Sequence, residues 1–113
     1  VTMQEQITML LLELGIKPRS RQGLYLSTAL RLICEEPERL QLITKWLYPD
    51  VARQCSATPC AVERGLRAAL RNAWRRAAHG TMLEMFSLDR EARPSAGLML
   101  SFLYEYLSAQ QQA

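Results

Sequence analysis

Apolar positions along the chain recur at helical spacing. Met3, Ile7, Leu10, Leu11 and Leu14 lie three or four residues apart, and Gly15 followed by Pro18 stops the run, so a first helix ends near Leu14. Residues 17–22, KPRSRQ, read as a basic loop. Leu26, Leu30 and Ile33 share one face of a second helix that ends before the acidic, proline-marked stretch Glu35-Glu36-Pro37. Leu40, Ile43 and Leu47, with Trp46 beside them, open a third helical run. Pro49 either kinks that run or begins a new helix as its first residue.

Thr58-Pro59 places a capping hydroxyl before a proline suited to the first helical position, so a long helix starts there and runs past Trp74 to about His79-Gly80. A shorter apolar segment, Met82 to Phe86, precedes a charged loop from Asp89 to Arg93. After Pro94, Ser95 can cap a final helix with Leu98, Met99, Phe102, Leu103, Tyr106 and Leu107 inward, and the tail from Gln110 to Ala113 is expected to fray. β-branched residues are few and no stretch alternates for long, so no strand is predicted. The expected fold is all-α, a compact bundle of about six helices. At 113 residues it forms a single domain, long enough to bury a core without a metal or a disulfide.

Composition narrows the class. Hydrophobic residues at 49% and charged residues at 22% are ordinary for a soluble globular protein, and no apolar run approaches the roughly 18 residues of a membrane span. No secretory signal is visible, a start at Val1 reads as a domain cut from a longer chain, and no membrane partner is expected; the cysteine usage fits a reducing cytoplasm. Cys34, Cys55 and Cys60 are odd in number, and His79 is the only histidine, which supports neither a disulfide framework nor a zinc site. Each cysteine reads as a small buried apolar group.

Charge changes the picture more. Residues 53–76 hold six arginines (Arg53, Arg64, Arg67, Arg71, Arg75 and Arg76) against one acid, Glu63, whereas the rest of the chain holds eight basic and ten acidic residues. The whole excess behind the net charge of +3 therefore sits in one segment, the footprint of a phosphate-bearing partner. The same segment reads as a helix-turn-helix over roughly Asp50 to Ala77. Ala52 is the small residue that a close helix crossing requires, Val62, ten residues on, is the aliphatic residue that returns to it, and Val51, Cys55 and Leu66 complete the apolar set. Ser56 to Thr58 supply the turn, with Ser56 where glycine is more usual.

At about 100° per residue, Arg64, Arg67, Arg71 and Arg75 fall in a narrow stripe, with Val62, Leu66, Ala69, Leu70, Ala73 and Ala77 opposite. A solvated helix face usually mixes signs, whereas arginines three or four apart repel one another until a polyanion neutralises them. Near the N-terminal end of this helix, Arg64 can donate twice to guanine, and Glu63 can accept from the cytosine amino group. The predicted role is recognition of double-stranded DNA in the major groove, with phosphate contacts further along the helix.

Other readings are weaker. Trp46, Trp74, Tyr48 and Phe86 read as core aromatics, and Glu35-Glu36 has no nucleophile or base beside it. With no glycine-rich phosphate loop and no catalytic constellation, the chain is read as a non-enzyme without a cofactor. The competing class is a helical protein-interaction module that retains the fold, has lost or changed its DNA specificity, and docks an acidic partner.

The segments LLLELGI (10–16), GLYLSTAL (23–30), ITKWLYPDVA (43–52), VERGLRAAL (62–70) and NAW (72–74) resemble the C-terminal effector domain of the stage 0 sporulation protein A family, response-regulator transcription factors of endospore-forming bacteria. The resemblance spans nearly all of the chain. It implies a six-helix fold without enzymatic activity that binds promoter boxes, often as head-to-tail copies on tandem sites, and touches the sigma subunit of RNA polymerase. A receiver domain of the two-component type is implied ahead of Val1. By matching position, Glu63 and Arg64 are the implied base-reading pair, and Arg67 is the matching arginine of the same helix. Thr58, Cys60, Ala61, Ala68, Arg71 and Arg75 complete the expected DNA surface. Ala61 stands where the family pattern has arginine and Ala68 where it has histidine, which implies an altered promoter choice.

Overall fold

The computed structural model describes residues 1–77 and 94–112, and among these it places five α-helices. Helix α1 (Met3–Glu13) opens on a capping box. The Thr2 hydroxyl accepts from the Glu5 amide and the Glu5 carboxylate accepts from the Thr2 amide, each at 3.1 Å. Those bonds hold the Glu5 carboxyl below its ordinary value. The helix ends in a Schellman turn: Gly15, at φ +76°, donates to Leu12, and Ile16 donates to the Leu11 carbonyl at 2.9 Å.

Helix α2 (Arg21–Glu35) begins inside the stretch expected to be loop, because the Ser20 hydroxyl accepts from the Gly23 amide at 3.0 Å and starts the helix at Arg21. Tyr25, Leu26, Ala29, Leu30 and Ile33 are buried along it, and α2 packs against every other α-helix. The apolar run after Pro37 is not one helix. Residues Pro37–Gln41 form a 3-10 turn, Leu42 breaks the chain at φ −136° and ψ 56°, and Ile43–Leu47 is wound as a π turn. Helix α3 (Tyr48–Gln54) follows directly, with Pro49 in its first turn. Proline has no N–H for the carbonyl four residues back and its ring needs room there; the wider π winding supplies it.

Arg39 ties this irregular corner together. It donates to the Leu32 carbonyl at 2.7 Å, lies 5.1 Å from the centroid of the Trp46 ring, and pairs with Asp50 of α3 at 3.2 Å. Trp46 is therefore half-buried under a guanidinium, while Tyr48 and Trp74 are buried as expected.

A four-residue turn, Cys55 to Thr58, leads into α4 (Pro59–Ala77). The final helix, α5 (Ala96–Gln112), starts where expected, the Ser95 hydroxyl accepting from the Leu98 amide at 3.2 Å. Its inner face differs from the expected one: Leu98 is 46% exposed, Phe102 and Tyr106 are half-buried, and Leu100 is fully buried beside Met99, Leu103 and Leu107. Helical geometry also continues through Gln112, with the Gln111 amide donating to Gln6 of α1, so the expected fraying does not begin at Gln110. The cysteines correct the composition-based reading as well. Cys34 and Cys55 are half-buried, Cys60 is exposed, and none is a fully buried apolar group. The expected helix end at His79-Gly80, the Met82 to Phe86 segment, Phe86 itself and the Asp89 to Arg93 loop lie outside the described residues.

Ser56 adopts φ +52°, a left-handed conformation that costs a residue with a Cβ about 1–2 kcal/mol. Glycine escapes that cost but surrenders more entropy on folding. Ser56→Gly is therefore expected to stabilise the domain by about 0.5–1 kcal/mol, read as a higher melting temperature in circular dichroism.

Candidate nucleic-acid interface

The arrangement of α3, the turn and α4 follows from three local features. Ala52 and Val62 are both buried, so a small side chain on α3 admits α4 closely and an aliphatic one on α4 fills the contact. The Thr58 hydroxyl accepts from the Ala61 amide at 3.1 Å and its carbonyl from the Val62 amide at 3.0 Å, which fixes where α4 starts. Gly65 lets α4 approach α2, since a Cβ there would stand 2.7 Å from the Tyr25 ring.

Helix α4 divides cleanly. Val62, Leu66, Ala69, Leu70, Ala73 and Trp74 are buried, whereas Arg64, Arg67, Arg71 and Arg75 are exposed on the far side. Of the expected site residues, Cys60, Glu63, Arg64, Arg67, Ala68 and Arg71 line one open depression on that side. Arg75 continues the stripe a turn beyond Arg71, Thr58 sits at the cap, and Ala61 is half-buried on the flank toward α2. The burial of the Ala77 side chain lies outside the described residues.

The basic stripe is not wholly free of carboxylate. Glu63, half-buried, pairs with Arg67 at 3.1 Å, one helical turn away. Both lie beside Tyr48 of α3, whose phenol is pushed up by burial and further by Glu63, with Arg67 opposing. Glu63 therefore sits on the shoulder of the stripe and Arg64 at its centre. Arg64, Arg71 and Arg75 make no ion pair among the described residues. A pair whose arginine is exposed, such as Glu63–Arg67, contributes about 1 kcal/mol, so it leaves Arg67 available to a phosphate.

Two other arginines of the basic segment are engaged elsewhere. Arg76 donates to the Gly15 carbonyl at 2.6 Å, tying the end of α4 to the turn after α1, and Arg53 pairs with Asp50. Sequence spacing does not separate Arg76 from Arg75; the position of the α1 terminus does. Among the described residues there is no group of three potential metal ligands, and no helix is long and apolar enough to cross a membrane.

A short helix, a tight turn and a longer helix anchored on one face and basic on the other define a helix-turn-helix domain. Residues 7–107 match the family model described as Sporulation initiation factor Spo0A C terminal. The chain belongs to that family, whose members are DNA-binding regulatory domains of sporulation response regulators rather than enzymes.

Proposed function

We propose that this chain is the single DNA-binding effector domain of a response-regulator transcription factor, and that α4 enters the major groove of promoter DNA to read a specific sequence. The observation that carries the reading is the row of exposed guanidiniums at Arg64, Arg67, Arg71 and Arg75, opposite a face sealed into the core. Arg64, central and unpaired with any described carboxylate, donates to guanine. Glu63 beside it accepts from cytosine, leaving Arg67 to turn to the backbone. Arg71 and Arg75, further along, meet phosphates. Thr58, Cys60, Ala61 and Ala68 complete the contact surface, the two alanines removing reach where the family pattern has longer polar groups. The same reading adds a second copy on a tandem site and the sigma subunit of RNA polymerase as partners, in the cytoplasm, under a receiver domain ahead of Val1.

Anisotropy titrations on a selected duplex and its scrambled counterpart separate the roles. Arg64→Ala is expected to cost roughly 1–3 kcal/mol on the selected duplex and to erase much of the preference over the scrambled one. Arg75→Ala is expected to weaken both duplexes equally and to flatten the slope of log Kobs against log salt by about one. Equal losses on both duplexes for Arg64→Ala would refute its base-reading role. Failure of micromolar protein to bind either duplex at low salt would favour the protein-interaction module instead.

A further inference from the structure

The segment joining α1 to α2 carries positive charge that the recognition helix does not account for. Between Glu13 and Glu35 the chain has no acidic residue, and Lys17, Arg19 and Arg21 fall within five positions of it. All three side chains are exposed. None pairs with a carboxylate among the described residues; Arg21 has only the Tyr25 hydroxyl, at 3.4 Å.

The fold sets this segment against the flank of α4. Lys17, Ser20 and Gln22 line a groove whose other wall is Ala69, Asn72, Ala73 and Arg76. Arg76 closes the floor by donating to the Gly15 carbonyl. Nearer the start of α4, the Tyr25 ring fills the space above Gly65, and Arg21 reaches the hydroxyl end of that ring. Asn72 and Arg76, both exposed, form the α4 side of this groove, and their sequence neighbours Arg71 and Arg75 belong to the basic stripe.

We infer that Lys17, Arg19 and Arg21 form a second phosphate-binding edge that grips the backbone of one strand beside the groove occupied by α4. The inference rests on the proposed DNA reading and extends it, because α4 alone supplies base contacts and phosphates along its own axis. A helix lying in a groove about 12 Å wide leaves a phosphate ridge on each side, and a basic edge alongside the helix meets one of them. Such contacts set register and affinity and carry no sequence information. The clamp is held rigidly from both ends, by the Ser20 cap on α2 and by the Arg76 bond from α4.

The test compares the triple variant Lys17→Ala, Arg19→Ala, Arg21→Ala with wild type in salt-dependent titrations on a selected and a scrambled duplex. Ethylation interference is then read on each strand. Replacing three phosphate contacts is expected to reduce the magnitude of the salt slope by about 2.7 and to weaken binding to both duplexes at least about tenfold at 0.1 M salt, with their ratio preserved. Interference is expected to disappear from a short run of phosphates on one strand only. Circular dichroism melting of the variant is expected to match wild type, since the replaced groups are exposed. Wild-type affinity and slope in the triple variant, while Arg75→Ala still lowers both, would overturn the second edge and leave the α4 reading intact. No binding by wild-type protein to either duplex would overturn both. A lost preference between duplexes would also overturn it, by making the segment a base reader.

Discussion

Replacing Arg39 with alanine is expected to lower the stability of the domain by about 3 kcal/mol, as for removing one partner of a largely buried ion pair. Its side chain is 12% exposed and that of its partner Asp50 15% exposed, so the loss leaves a carboxylate with little water and only the outward Arg53 to answer it. The Leu32 carbonyl at the end of α2 loses its side-chain donor and Trp46 loses the cation over its ring. For a domain of this size the melting temperature falls by about 10–20 °C. Lysine cannot reproduce a fork that serves a carbonyl, a carboxylate and an aromatic face together, so Arg39→Lys recovers less than half of the loss. A melting temperature within about 3 °C of wild type for the alanine variant would show that the 3-10 and π turns hold α3 without it.

Gly23→Ala is expected to be at least as damaging. A Cβ at this position would stand 2.1 Å from the Lys17 carbonyl oxygen, and that oxygen belongs to backbone which also accepts from the Ser20 amide and hydroxyl. Relief requires the 17–20 turn to move as a unit, breaking the cap on α2 or prising the turn from α4. The cost is about 3 kcal/mol or more, at the upper end for overpacking. Denaturant unfolding followed by tryptophan fluorescence checks it. The contrast is with Gly65→Ala, where the obstruction at 2.7 Å is the Tyr25 ring, a side chain that can turn aside at lower cost.

What the sequence made legible is what local chemistry controls. Thr58-Pro59 and Ser95 cap the helices they precede because a hydroxyl there has few competing uses, and Ala52 with Val62 marks the crossing of α3 and α4 through size alone. The two faces of α4 follow from period and charge, and the structure keeps Arg64, Arg67, Arg71 and Arg75 together on the outside. Most of the misses come from long-range packing, and one, Ser20, from a local cap hidden in a basic stretch. The run from Leu40 to Leu47 has helical spacing, yet Pro49 and the Arg39 network wind it as two tighter and wider turns. Leu98 and Leu100 are equally apolar, and only the angle at which α5 meets the bundle sends one out and the other in. Arg76 is indistinguishable in sequence from Arg75, yet the turn after α1 lies within its reach. Ser20 sits in a basic stretch that reads as loop, and its hydroxyl makes it a cap.

The family places the domain among DNA-binding regulators, and the proposed contact lies along α4. That location depends on Arg64 pointing from the centre of an unobstructed basic face toward the floor of the major groove. Methylation interference at guanine N7 tests it most directly, because that atom lies on the major-groove edge where a guanidinium would bind. On a duplex selected by the wild-type protein, methylation of one guanine per site is predicted to block wild-type binding and to have no effect on the residual binding of Arg64→Ala. Binding indifferent to N7 methylation, or a block of equal strength in both proteins, would contradict the placement of Arg64 in the groove.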